Sequence, residues 1–146
     1  MKRRFGLGLV LLTMMALLIG MVGVATVSAS KKKGSEGCTP GYWKQSQHFD
    51  SWTLYNPTDS FDTTFNDVAF PGMTLLQVLQ QGGGGLNALG RQTVAALLNV
   101  ASGDVDYAYT STKTVIDLFN NVFPGGDYEG LKNIFEGFNQ LSCPLS

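Results

Sequence analysis

The chain has 146 residues, and its ten Lys and Arg against eleven Asp and Glu leave one negative charge at pH 7. Between Cys38 and Cys143 the balance tips further, to four basic against ten acidic side chains. A duplex- or phosphate-binding face needs clustered Lys and Arg, and this stretch has none to build it from, so nucleic acid is excluded as a partner.

In chain order, Met-Lys-Arg-Arg comes first. An uncharged, apolar run follows from Phe5 to Val27, ending in Val27-Ser28-Ala29, which has the small residues a signal peptidase needs. Residues 1–29 therefore read as an export signal, with the general secretion route expected. The run is also long enough to reach across a bilayer, and an uncleaved anchor is the alternative. It is the one segment through which membrane contact is expected. Ser30 to Gly37, SKKKGSEG, reads as a polar linker, and residues 38–146 as a single domain, large enough to bury a core without metals. Its location is expected to be secreted or on the extracytoplasmic cell surface.

Cys38 and Cys143 are the only cysteines and bracket that domain. In an exported chain an even pair most simply forms a disulfide. A structural zinc site would require a second pair of ligands. No metal or other cofactor is expected.

Thr39-Pro40 makes either a helix N-cap and first-turn pair, or the start of a type II turn centred on Pro40 and Gly41. Tyr42, Trp43 and Trp52 then carry large apolar faces. Turns are marked by Asn56-Pro57 and Pro71-Gly72, with a short helical turn expected over Thr64 to Val68. Thr74 and Gln77 form a capping box opening Leu75 to Leu79. Gly82 to Gly85 end that helix; no Gly-Lys-Ser/Thr follows them, so they read as a connector rather than a phosphate loop.

From Asn87 to Ala101, Leu89, Thr93, Val94, Leu97, Leu98 and Ala101 share one helix face, which Leu86 extends upstream, and Ala95 and Ala96 widen it. A helix that apolar belongs at the centre, and Gly103 stops it. Ser111 or Thr110 caps a helix carrying Val115, Leu118, Phe119 and Val122, broken by Phe123-Pro124-Gly125-Gly126. Asp127 caps the last, with Leu131, Ile134, Phe135, Phe138 and Leu141 on one face, ending at Cys143-Pro144. No segment alternates apolar and polar residues long enough for a strand. The expected fold is all-α: a small single-domain helical bundle with an irregular N-terminal region, closed by one terminal disulfide.

Gly37-Cys38-Thr39-Pro40-Gly41-Tyr42-Trp43-Lys44 resembles the opening of a family of secreted and surface-associated bacterial proteins with a Cys-Thr-Pro-Gly-Tyr-Trp-Lys motif. The likeness continues through Arg91 to Asn99, through Val105-Asp106-Tyr107 and into a closing Cys143-Pro144-Leu145, covering nearly all of 37–145. It implies secretion and one shared fold, and carries no established activity. In that family Asn-His follows the lysine directly; here Gln45, Ser46 and Gln47 intervene before His48.

Nucleophilic catalysis needs a base, and His48 is the sole histidine, with no Gly-x-Ser-x-Gly elbow to accompany it. Asp104 and Asp106 begin like a calcium loop, but Ala108 and Val115 stand where later ligands belong. Paired carboxylates for glycoside hydrolysis would have to come from the ten acids by folding alone. The candidate binding residues are Tyr42, Trp43, His48, Trp52 and Tyr55, whose rings would stack on a cell-surface glycan or a protein partner if exposed. Two functions follow: a non-catalytic extracellular or cell-surface interaction or structural domain, or, as the alternative, a small secreted glycan- or wall-directed hydrolase.

Overall fold

The computed structural model describes residues 33–146. The expected signal or anchor, 1–29, lies outside them. Helix α1 is a single turn, Pro40–Trp43, and a 3₁₀ helix follows over Ser46–Ser51. Then come α2 (Phe61–Phe65), α3 (Leu75–Leu79), α4 (Gly85–Ser102), α5 (Thr112–Val122) and α6 (Tyr128–Asn139). Only two isolated β-bridges, Glu36 to Ser142 and Ser60 to Thr74, depart from helix and loop among the described residues. The fold is the expected all-α domain.

Helix α4 is the hub, packing against α1, α3, α5 and α6. Leu89, Val94, Ala95, Ala96, Leu97 and Leu98 are all buried along it, and the two alanines let neighbours approach closely. Gly90 serves the same end, because a methyl group there would overlap the Phe70 ring. A second body of core is aromatic. The Phe61 and Phe65 rings stack at 4.2 Å, and Phe119 from α5 meets both edge-on at 5.3 and 5.2 Å. Aromatic pairs in such offset and edge geometries add to the burial of their area.

Local chemistry sets most boundaries. Thr74 and Gln77 form the reciprocal capping box, Ser111 rather than Thr110 caps α5, and Asp127 caps α6. Gly103 ends α4 in the left-handed region at φ 72°, where glycine carries no Cβ penalty. Thr39 accepts a hydrogen bond from the Tyr42 amide with Pro40 in the first turn, so the helix start prevails over the type II turn. The short turn expected at 64–68 forms at Phe61–Phe65 instead, because the Ser60 hydroxyl caps it three residues earlier. Helix α4 starts at Gly85 rather than Asn87, and the Arg91 guanidinium donates back to the carbonyls of Gln81 and Gly83 at 2.8 and 2.9 Å, holding the glycine run in place.

The two ends of the domain run side by side. Cys38 and Cys143 form a disulfide across a Cα separation of 4.6 Å. Beside it, the Gly37 amide donates to the Ser142 carbonyl at 3.2 Å. The part of the expected linker that is described is bonded into the fold from Gly34 onward: Gly34 donates to the Asp106 carboxylate, and Glu36 and Asp106 bond to each other. Gly37 is buried so tightly against the Phe138 carbonyl that no Cβ fits. The compact unit spans Lys31–Ser146 and carries its own core, caps and disulfide, so it needs nothing from residues 1–29 to fold. Such a disulfide is compatible with an extracytoplasmic location.

Candidate functional site

The Cys-Thr-Pro-Gly-Tyr-Trp segment turns the chain from the disulfide into the core. One helical turn is enough to point Trp43 inward, where it is 0 % exposed, with Tyr42 and Trp52 also buried. The Trp43 ring meets Tyr42 at 5.2 Å and Trp52 at 6.4 Å, both edge-on, and the Trp52 indole donates to the Trp43 carbonyl at 3.3 Å. The Tyr42 hydroxyl donates to the Leu145 carbonyl at 3.1 Å, tying this corner to the C-terminal end.

His48 lies outside that corner. Half-buried, it stacks on Tyr42 with ring centroids 3.9 Å apart, and its side chain makes no hydrogen bond among the described residues. Tyr55 is partly buried against the core and shares no ring contact with the other four among the described residues. Four of the five candidate binding residues therefore come together, and three of them have their apolar faces turned into the protein.

Beneath Trp43 lies a network of buried amides that sequence reasoning missed. Asn99 of α4 accepts from the Cys38 amide at 2.9 Å and from the Trp43 indole at 3.1 Å. It donates to the Cys38 carbonyl and to Asn139 of α6, each at 2.9 Å. Asn139 also accepts from the Tyr107 hydroxyl at 2.8 Å, and it donates to the Gln92 backbone and side-chain oxygens, both at 2.9 Å. Every donor and acceptor of both amides is thus used, the condition under which a buried polar network specifies a core rather than weakening it. Burial, with Tyr109 alongside, pushes the Tyr107 hydroxyl far above its ordinary pKa, so it remains a donor.

The signal for this network was present but faint. Asn99 interrupts the most apolar helix, and Asn139 falls four residues after Phe135 on the inward face of α6. A polar side chain in an apolar stripe asks for a partner, and here each supplies the other.

The network also absorbs most of the reactive groups that the sequence offered. The cysteines are bonded to each other, and among the described residues no three His, Cys, Asp or Glu side chains gather to hold a metal ion. Asp106, first read against a calcium loop, fixes Gly34 and Glu36 instead.

One open concavity lies elsewhere, a groove of about 530 Å³ between Gly34 and Ser35 on one side and α6 on the other. Asn133, Ile134, Gly137, Phe138 and Leu141 form the helical wall, and no titratable side chain lines it. Only Leu131 and Phe135 of the expected apolar face are buried outright; Ile134 remains 50 % exposed and Leu141 38 %. The apolar stripe is wider than the core needs, and its outer edge becomes the groove. Among the described residues no helix is long and apolar enough to cross a membrane. Comparison with family models, with curated proteins and with solved structures finds no match.

Proposed function

We propose that this chain is a non-catalytic domain of the secreted or cell-surface space that acts by binding or by forming part of the surface structure, within the family that its Cys-Thr-Pro-Gly-Tyr-Trp-Lys motif resembles. The observation that carries the reading is how the polar groups are used. Cys38, Trp43, Asn99, Tyr107 and Asn139 are bonded to one another or to neighbouring backbone, whereas the open groove is walled by apolar and uncharged residues. A catalytic site has the opposite arrangement, with perturbed titratable groups converging on a concavity. His48, the sole histidine, is stacked on a tyrosine rather than bonded to a nucleophile or an orienting carboxylate.

The test incubates the domain with panels of glycans, peptidoglycan and surface proteins beside generic ester, peptide and glycoside substrates. Retention on a surface component without turnover is the expected result. Turnover that disappears in His48→Ala would establish the alternative, a small secreted hydrolase.

A further inference from the structure

We infer that the groove along α6 seats the domain on an anionic lipid surface, with the lysines that lead into it supplying the electrostatic half of the contact. The inference rests on the reading of the chain as a cell-surface domain, and it adds a second point of membrane contact to the one expected from the N-terminal segment.

Three observations meet at one place. First, Ile134 and Leu141 stand seven residues apart along α6 and its C-terminal end, nearly in line with the helix axis, and both are substantially exposed. Phe138 lies between them in the groove wall. Large apolar side chains aligned on the outer edge of a helix present a face that an interface would cover.

Second, the opposite wall is Gly34 and Ser35, so the chain enters the domain through the groove itself. Only six residues, Ser28 to Lys33, separate Gly34 from the uncharged apolar run ending at Val27. Fully extended they span roughly 20–25 Å. If that run is retained as an anchor, the lipid surface lies within that reach of the groove. A contact too small to hold alone then forms because the tether raises its effective concentration.

Third, the charge is distributed to match. Lys31, Lys32 and Lys33 precede Gly34 directly, and Lys33 is exposed. Among the other basic groups, Lys113 and Lys132 are paired with carboxylates and Arg91 is bound to carbonyls. From Cys38 to Cys143 acidic side chains outnumber basic ones ten to four. An acidic body with a lysine run at one edge orients that edge toward an anionic surface. Each lysine close to such a surface raises affinity by roughly fivefold. Cleavage after Ala29 would keep this arrangement and add the positive α-amino group of Ser30. A few apolar side chains joined to a short basic run is a two-signal mode of peripheral attachment.

The test is cosedimentation of residues 30–146 with vesicles of phosphatidylcholine alone or mixed equally with phosphatidylglycerol, at low and high salt. Binding to the mixed vesicles is expected, at least tenfold weaker on phosphatidylcholine and in high salt. Ile134→Ser with Leu141→Ser should lower partitioning at least fivefold, and Lys31→Gln, Lys32→Gln and Lys33→Gln together should remove the preference for phosphatidylglycerol. Leu54→Ser with Val68→Ser, which changes exposed apolar residues away from the groove, should leave binding as it is. In the full chain reconstituted into vesicles, the indole emission that Ile134→Trp adds should be quenched by brominated phosphatidylglycerol. The inference is overturned by absent binding, by an equal loss in the Leu54 and Val68 variant, or by emission from the Ile134→Trp variant that the brominated lipid leaves unquenched. It is also overturned by a dimer in sedimentation velocity that Ile134→Ser dissociates, since a second copy would then occupy the groove. Failure here with ligand retention intact removes only this inference, whereas enzymatic turnover would remove the proposed function and leave the vesicle result standing.

Discussion

Asn99 holds four partners at once, and this makes it the residue on which the N-terminal motif depends. Replacing it with leucine keeps the volume but leaves the Cys38 amide and carbonyl, the Trp43 indole and the Asn139 carboxamide without their bonds. Each buried group so orphaned costs about 1–3 kcal/mol. Asn99→Leu should therefore lower unfolding free energy by at least about 3 kcal/mol in a urea titration. Trp43→Ala should cost about 3–5 kcal/mol, the range for removing a buried indole. His48→Ala, which gives up one partly exposed ring stack, should stay within about 1 kcal/mol. A Trp43→Ala variant that kept full stability and lost ligand retention would instead mark this corner as a binding site.

Helix α6 has two jobs along its length, and its ends and faces respond differently to mutation. The Asp127 carboxylate accepts from the Gly130 amide at 2.8 Å, so Asp127→Ala should destabilise the domain by about 1 kcal/mol. Ile134→Ser, further along on the exposed edge, should change stability by no more than about 0.5 kcal/mol. Chemical denaturation of both variants checks the contrast. The elements were largely readable in advance for the reason that makes Asp127 matter: caps and apolar periods act within a few residues, so Thr74 with Gln77, Gly103 and Asp127 each announce a boundary. The missed features obey no local rule. Asn99 and Asn139 are 40 positions apart, and Asn99 and Cys38 are 61 apart. Nothing in the neighbourhood of either amide says which partner the fold will bring. The same limit applied to the aromatics of 42–55, whose spacing gave no sign of which rings would turn inward.

At the scale of the whole molecule, the disulfide joins positions 105 apart and so constrains nearly the entire unfolded domain. In the chain-entropy description this is worth about 4–5 kcal/mol, reduced by any structure the unfolded chain retains. Reduction should shift the urea midpoint markedly downward, and Cys38→Ser with Cys143→Ser should reproduce the shift. An unchanged midpoint would mean that the Gly37–Ser142 pairing and the Asn99 network already hold the two ends together. Fold class and closure were legible because they follow from composition and cysteine placement. The groove was not, because its wall is formed by residues 34 and 35 meeting a helix far along the chain.

The adjacency of the two chain ends also has a mechanical meaning. Tension applied through residues just before Cys38 and just after Cys143 runs from one sulfur to the other and bypasses the helices between them. A surface domain loaded in this way would neither lengthen nor unfold while the disulfide is intact. Pulled singly between such handles, the oxidised protein should show no unfolding step. The reduced protein should release up to roughly 350 Å of chain, the extended reach of the 105-position loop.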